Sequence, residues 1–291
     1  MRYAICPLSV VPVRSGALEK SEQLTQILFG ECVEVIDRKG KTWSKVRCLW
    51  DDTIGWVDSR QIRSISDGHF EEIKNDYSYS LDLLHPLATG DAFLPIPLGA
   101  KLPQFDGIRF DLAGSSFTFS GQAVEPIALS HRPEMLIRIA RKYLFAPQQK
   151  GGRSPLGIDA SGLIQIIFGM MGIQLPRQPE DQVFAGDSVD FAEQASPGDL
   201  AFFENRKGQV DHVGLILPEG EILHVAGQTR IDQLDHFGIF ERGQKSYTHR
   251  LRVIRRLALE GEIPNEFQIK GHPAEQAIPA HPELFGEANA V

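Results

Sequence analysis

Two histidines occur where the chain predicts a β-hairpin. His212 and His224 lie in alternating apolar segments, 211–217 and 221–227, and the Pro-Glu-Gly between these segments predicts the turn. If the strands pair, the two imidazoles can meet on one face of the hairpin. An imidazole base held by a second polar group is the arrangement that activates a cysteine or serine nucleophile. The pair therefore predicts a site of nucleophilic catalysis, although a solvent-facing or satisfied structural role is the better interpretation of either histidine alone.

The nucleophile position is predicted at the start of a helix. The Gly- and Pro-rich stretch 151–157 predicts a loop, and the apolar spacing after it predicts a helix that ends near Gly172. Asp159 is a good N-cap, which puts residue 160 at the first helical position. A thiol there would have its pKa lowered by the helix dipole, so that the thiolate is available. The residue at this position is Ala160, so the predicted catalytic site lacks its reactive atom.

No other side chain is expected to replace that thiol. Ser161 follows on the helix but is turned by about 100° from position 160, so it should point away from His212. The three cysteines, Cys6, Cys32 and Cys48, all come well before this region.

The residues around this predicted site resemble the NlpC/P60 cysteine peptidases, papain-like enzymes that cut bacterial cell-wall peptides. The matching motifs follow the family's order between about residues 130 and 257: Tyr143-Leu144-Phe145, Gly151-Gly152-Arg153-Ser154-Pro155, Asp159-Ala160-Ser161-Gly162, Leu175-Pro176-Arg177, Pro197-Gly198-Asp199-Leu200, Asp211-His212-Val213-Gly214 and Ile222-Leu223-His224. The resemblance implies an α+β, papain-like catalytic domain. It assigns position 160 to the catalytic cysteine, His212 to the general base and His224 to its orienting partner.

The chain is most similar to a subgroup with bacterial SH3-like modules before the catalytic domain. That subgroup cleaves between γ-D-Glu and the diamino acid in peptides with a free N-terminal L-Ala, whose ammonium is bound by acidic and hydroxyl groups from both domains. Asp159 matches the acid beside the nucleophile, and Glu22 is the candidate acid from the SH3-like part. An ordinary surface charge is an equal alternative for Glu22. The substrate-binding positions that we expect are Glu22, Thr53, Asp159, Ser161 and Pro179.

Four departures from the subgroup's pattern fall around this one expected pocket. Thr53 replaces a Tyr that precedes Gly-Trp, and Gln178-Pro179 replaces Asp-Ser after Leu-Pro-Arg. Phe145 replaces a Trp and is followed by an insertion at 146–150. Ala160 is the fourth departure. A laboratory Cys-to-Ala change would leave the neighbouring residues intact. The clustering of four departures therefore favours a site that no longer performs catalysis and whose residues were free to change.

Four segments are predicted along the 291 residues. Residues 1–65 predict an SH3-like domain, with strands at 32–37, 43–50 and 53–58. Residues 66–128 predict a β-rich linker or a second, degenerate SH3-like domain, with strands at 110–112 and 116–121. Residues 129–257 predict the catalytic domain, which opens with a helix at 133–145 and has a short helix at 179–185. The tail, 258–291, lacks a sustained period and predicts loose packing or disorder.

The composition and the absence of certain motifs limit the kinds of partner that we expect this chain to bind. A net charge of −8 argues against general nucleic-acid binding, and the densest basic stretch, Arg252 to Arg256, alternates like the solvent face of a strand. No signal peptide or run of transmembrane length is found, and an odd number of cysteines favours a reducing compartment, so we expect a cytoplasmic protein without a membrane partner. No HExxH, paired-Cys or phosphate-binding motif occurs, so we expect no metal and no cofactor. The sequence does not indicate the oligomeric state.

Three functions are compatible with these features. The first is a pseudo-peptidase that has lost cleavage and has kept either a structural role or binding, to a cell-wall-derived peptide, L-Ala-γ-D-Glu-diamino acid, or to another ligand. The second is an active γ-D-glutamyl-L-diamino acid endopeptidase of murein peptide turnover whose catalytic cysteine has been changed to alanine in this chain; a Cys codon at position 160 in the native DNA would identify it. The third is an SH3-like interaction module for which the catalytic fold is a scaffold.

Overall fold

The computed structural model describes residues 1–129 and 131–259, and its first part is an all-β unit. Its strands are β1 (Tyr3–Ile5), β2 (Val10–Arg14), β3 (Gln23–Leu28), β4 (Cys32–Lys39), β5 (Trp43–Cys48), β6 (Ile54–Asp58) and β7 (Arg63–Ile65). They form one antiparallel sheet in the order β3-β2-β6-β5-β4-β1-β7. Alternate residues of β5 and β6, including Val46 and Val57, are fully buried in its core. The three strands predicted here are confirmed.

A second group of β-strands follows. Its elements are α1 (Asp67–Ile73), β8 (Tyr77–Ser80), β9 (Leu84–Thr89), β10 (Ala92–Pro97), β11 (Lys101–Pro103), β12 (Arg109–Leu112), β13 (Ser115–Phe119) and β14 (Ala123–Val124). They form a four-stranded sheet, β10-β9-β13-β12, and a three-stranded sheet, β11-β8-β14. Phe110 and Phe117 stack at 5.4 Å between ring centroids, and Phe29 from the first unit meets both rings edge-on. The predicted strands at 110–112 and 116–121 are confirmed.

The third part mixes helices with one large sheet. Its elements are α2 (Pro133–Arg141), β15 (Arg153–Ser154), β16 (Gly157–Ile158), α3 (Ala160–Met170), α4 (Pro179–Gln182), β17 (Asp187–Val189), β18 (Leu200–Glu204), β19 (Val210–Leu217), β20 (Glu221–Ala226), β21 (Gln228–Leu234), β22 (Gly238–Glu241) and β23 (Ser246–Arg256). The sheet order is β17-β23-β18-β19-β20-β21-β22, and β22 also pairs with β23. This last pairing closes six of the strands into a barrel, to which β17 adds at β23. The α+β class is confirmed.

Two apolar cores lie on the two faces of this barrel. α3 packs against β19 and β20 on the outside, where Leu163, Val213 and Val225 share one core. Phe203 and Ile222 belong to the other core, on the barrel's inner face. Successive side chains of a strand alternate between these faces, so the residues on either side of Val213 and Val225 face the inner core.

Two predicted helices are shorter than expected. α2 ends at Arg141, and Phe145 takes a left-handed backbone with φ 70°, which a helix cannot include. α4 keeps only the four residues from Pro179 to Gln182. The predicted tail, 258–291, lies outside the described residues except for its first two, of which Leu259 is buried in the core. None of the described helices has the length and apolar character to cross a membrane.

Candidate active site

The two predicted histidines meet as the hairpin required. The Nε2 atom of His212, in β19, lies 3.0 Å from the Nδ1 atom of His224, in β20. The Nε2 atom of His224 lies 2.9 Å from the Oδ2 atom of Asp232, in β21. Because a carboxylate only accepts, His224 donates to Asp232 through Nε2–H and accepts from His212 through Nδ1. The unprotonated nitrogen left on His212 is Nδ1, which suits a general base.

Burial keeps these imidazoles neutral. Desolvation lowers the pKa of His212 well below its usual value, and neighbouring His249 and His224 lower it further. Desolvation also lowers the pKa of His224, although the carboxylate of Asp232 partly offsets this effect. His212 therefore holds an available lone pair at neutral pH but is a weak base.

Ala160 takes the predicted first position of α3. Asp159 is the N-cap, and its Oδ1 atom accepts a hydrogen bond from the backbone N–H of Gly162 at 2.8 Å. Ala160 is only 8% exposed and belongs to the outer core together with Val213. Its methyl group offers nothing that attacks a carbonyl.

The histidine rings face the inner core of the barrel. The ring of His212 is 5.8 Å from that of Phe203, which is in the inner core. A Cβ atom on Gly214 would touch both Ile222 and His224, so these two share a face. The structure thus brings the two histidines together, whereas a direct approach of residue 160 to His212 stays a prediction.

Arg177 binds both residues that flank Ala160. Its Nη2 atom lies 2.8 Å from the Oδ2 atom of Asp159, and its Nη1 atom donates to the Oγ atom of Ser161 at 2.9 Å. Asp159 Oδ2 also accepts from the backbone N–H of Gly151 at 2.7 Å. The Ser161 hydroxyl is therefore already engaged beside the helix terminus, and Arg177 was not among the predicted site residues.

The hairpin that carries Thr53 contacts the catalytic part. Asp51 Oδ1 accepts from the backbone N–H of Thr53 at 2.9 Å, and Asp51 Oδ2 accepts from Gln165 of α3 at 2.8 Å. Pro179 is buried as the first residue of α4, and Gln182 of the same helix donates to the Ser161 carbonyl at 3.0 Å. Asp51, two residues before Thr53, and Gln182, three residues after Pro179, thus each form a hydrogen bond with α3.

Glu22 lies at the same junction but already has a partner. Its carboxylate forms an ion pair with the Nζ atom of Lys150, which belongs to the insertion at 146–150. Gln23 donates to the Lys150 carbonyl at 3.2 Å, and a Cβ atom on Gly151 would collide with the Gln23 backbone. The SH3-like unit therefore touches the loop before Ala160. Lys150 is 83% exposed, so its ammonium can leave Glu22 easily.

A buried ion pair fixes the two units at this junction. Arg153 binds Glu31 through two parallel bonds of 2.9 and 3.0 Å, and both side chains are almost fully buried. The backbone N–H and the Nη1 atom of Arg153 also donate to Gln26, at 2.8 and 2.7 Å. Its guanidinium lies 4.4 Å from the Trp50 ring centroid. Arg153 lies in a predicted loop, and nothing in the sequence indicated that it would form a buried ion pair with Glu31, 122 residues away.

A third histidine joins the first two. His249 of β23 stacks on His212, with ring centroids 4.1 Å apart and planes at 24°. Burial lowers the pKa of His249 to about 4. His212 and His249 also line an open cavity of about 730 Å³, together with Glu204 and Asp211. His249 was not among the predicted site residues, because it lies 25 residues beyond His224 and in no recognised motif.

Comparison with known proteins gives consistent results. A family model described as NlpC/P60 family matches residues 146–251, and one described as bacterial dipeptidyl-peptidase Sh3 domain matches residues 13–62. The chain is 35% identical over 213 residues to a γ-D-glutamyl-L-lysine dipeptidyl-peptidase of Bacillus subtilis, an alignment that covers 69% of this chain and 71% of the relative. A Bacillus cereus protein of the same name is 35% identical over 234 residues, covering 69% of this chain and 66% of the relative.

A solved structure supports the fold over most of the chain. The crystal structure of an NlpC/P60 family protein from Bacillus cereus matches with a TM-score of 0.74 at 22% identity, and covers 87% of this chain and 99% of that one. With the two domain matches and the relatives above, this chain belongs to the NlpC/P60 family and carries a bacterial SH3 domain before its NlpC/P60 domain.

Proposed function

We propose that this chain is a non-cleaving member of its peptidase family that binds a cell-wall-derived peptide of the L-Ala-γ-D-Glu-diamino acid type. The observation that carries the proposal is Ala160 at the start of α3. The names of the Bacillus relatives, γ-D-glutamyl-L-lysine dipeptidyl-peptidases, give the ligand class. The ion pair of Glu22 with Lys150 brings an acid of the SH3-like unit to the loop before Asp159, which supports a retained peptide site there.

Without the thiol, no acyl-enzyme can form, and His212 has no nucleophile to deprotonate. A cysteine peptidase forms an acyl-enzyme when its thiolate attacks the scissile carbonyl, and the imidazole then protonates the leaving amine. His212 remains neutral and has Nδ1 free, but a methyl group stands at position 160. Removal of the nucleophile from such a unit leaves only the small rate due to binding and oxyanion stabilisation.

In our proposal Asp159 and Glu22 bind the peptide ammonium, at a position that Lys150 partly occupies. Asp159 is fixed by Arg177 and by two backbone N–H groups, and Glu22 approaches the same loop from the SH3-like unit. The Lys150 ammonium pairs with Glu22 and also interacts with Asp159 over a longer distance. A peptide ammonium would therefore have to displace Lys150. An exposed ion pair stabilises by only about 0.2–1 kcal/mol, so a ligand can displace Lys150 at small cost.

Calorimetry followed by mass spectrometry of the same sample tests both halves of the proposal. L-Ala-γ-D-Glu-L-Lys is titrated into the protein, and the mixture is then analysed for γ-glutamyl bond cleavage. We expect saturable binding and intact peptide. The matched control is the N-acetylated peptide, which lacks the ammonium and should bind at least tenfold more weakly. Equal binding of both peptides, or no binding of either, would contradict the proposed ligand class.

A further inference from the structure

Three imidazoles converge at one end of the barrel. His212, His224 and His249 each present a ring nitrogen, and these nitrogens lie within 4.8 Å of one another. Over residues 1–129 and 131–259 no other group of three or more histidine, cysteine or acidic side chains meets in this way. Imidazole is the ligand type that Zn²⁺, Cu²⁺ and Ni²⁺ favour, whereas Mg²⁺ and Ca²⁺ require oxygen.

In His224 and His249, the ring nitrogen that would not bind the metal already has a hydrogen-bond partner. His224 donates through Nε2 to Asp232, whose Oδ2 atom is also 2.7 Å from the Nε atom of Arg230. His249 Nδ1 lies 2.9 Å from the Thr248 hydroxyl, which leaves its Nε2 atom available. A carboxylate behind a ligating histidine is the usual support of a protein zinc site, because it fixes the tautomer and orients the ring.

We propose that His212, His224 and His249 form a three-histidine site for a divalent transition metal ion, with Zn²⁺ as the best-suited ion. Three protein ligands leave a fourth tetrahedral position open, and the cavity of about 730 Å³ lined by His212 and His249 gives solvent or an anionic ligand access to it. The site does not depend on the proposed peptide binding, because it uses no residue of the ammonium position.

Metal binding requires the His249 ring to reorient, because it stacks on His212 with planes at 24° and the in-plane lone pairs of two stacked rings do not meet at one ion. Zn–N bonds of about 2.0–2.1 Å place tetrahedral ligand nitrogens about 3.3 Å apart. The His212–His224 nitrogen pair is at 3.0 Å, so this pair widens slightly, and the proton on His212 Nε2 moves to Nδ1. The remaining separations must shorten from at most 4.8 Å, and half-buried His249, which borders the cavity, is the ring that can shift.

Zn²⁺ titration of the chelator-treated full chain tests the site. We expect one ion per chain and a raised melting temperature. His249→Gln, which keeps a similar volume and a polar end, should weaken Zn²⁺ binding at least tenfold. His69→Ala, which removes a histidine of α1 far along the chain, is the matched control and should change affinity by less than twofold. Asp232→Asn provides a second variant that keeps all three ligands and should weaken binding about 10- to 100-fold through the ring it orients.

Co²⁺ substitution separates this site from the three thiols. A tetrahedral nitrogen site gives visible d–d absorption without the near-ultraviolet band of thiolate-to-cobalt charge transfer. That spectrum, lost in His249→Gln, supports the proposal. Absence of Zn²⁺ binding by the unmodified chain, unchanged affinity in His249→Gln, or a thiolate band in the cobalt spectrum would each overturn it.

Discussion

Replacing Glu31 by Gln should strongly destabilise the junction between the two units. In the native chain Arg153 has its charge balanced by Glu31 through two bonds of 2.9 and 3.0 Å, with only 3% and 4% of the two side chains exposed. Glu31→Gln keeps the shape and one acceptor but removes the carboxylate that pairs directly with the buried guanidinium, and only the charge of Asp51 then still acts on it. Breaking a buried pair on one side costs about 3–5 kcal/mol.

Urea denaturation followed by tryptophan fluorescence measures this cost. Trp43, Trp50 and Trp56 are the chain's three tryptophans, and all belong to the SH3-like unit, so their emission reports on the unit that Arg153 holds. With a slope of about 2 kcal/mol per M, a loss of 3–5 kcal/mol lowers the midpoint by about 1.5–2.5 M.

A surface pair provides the control. Glu34 pairs with Arg2 and Arg47, both of which are well exposed, so Glu34→Gln should cost about 1 kcal/mol or less. The double change Glu31→Leu with Arg153→Met should recover most of the stability, because no charge is then buried alone. If Glu31→Gln unfolded at the same urea concentration as Glu34→Gln, the reasoning from burial would be refuted.

Two further predictions concern the pocket. Lys150→Ala should strengthen binding of L-Ala-γ-D-Glu-L-Lys by up to about fivefold in calorimetry, since the competing ammonium at Glu22 is removed; unchanged or weaker binding would show that Lys150 does not occupy the ligand's position. Ala160→Cys should react with iodoacetamide at neutral pH faster than the three native thiols, because the start of α3 lowers a thiol pKa whereas burial raises those of Cys6 and Cys32 to about 12. The same variant should cleave the peptide slowly or not at all, because Thr53 and the Gln178-Pro179 pair replace residues that the subgroup is expected to use around the substrate, and a misplacement of about 1 Å already costs about 100-fold in rate.

Local chemistry explains which parts of the fold were predictable. Alternation identified β5, β6, β19 and β20, and the Asp159 cap with the apolar run after it placed the start of α3 at the observed residue. α2 was predicted too long because the helical spacing continues to Leu144, although the backbone turns left-handed at Phe145, just before the inserted loop.

Long-range partners were not predictable in this way. His249 lies near His212 because β23 and β19 both pair with β18, and no local pattern encodes these pairings. Arg153 and Glu31 are 122 residues apart, and each looks like an ordinary surface charge until the two units dock. The expectation that no metal is bound rested on local motifs alone and stays a prediction, and the three-histidine site proposed above is its alternative.

The missing reactive atom at position 160 is, in our proposal, the reason why this family member does not cleave. The most direct test is mass spectrometry of L-Ala-γ-D-Glu-L-Lys during prolonged incubation with the unmodified chain, beside a no-protein sample and His212→Ala. We predict the same intact peptide in all three samples. Release of lysine clearly above the no-protein level by the unmodified chain would contradict the proposal, and its persistence in His212→Ala would show that another group performs the chemistry.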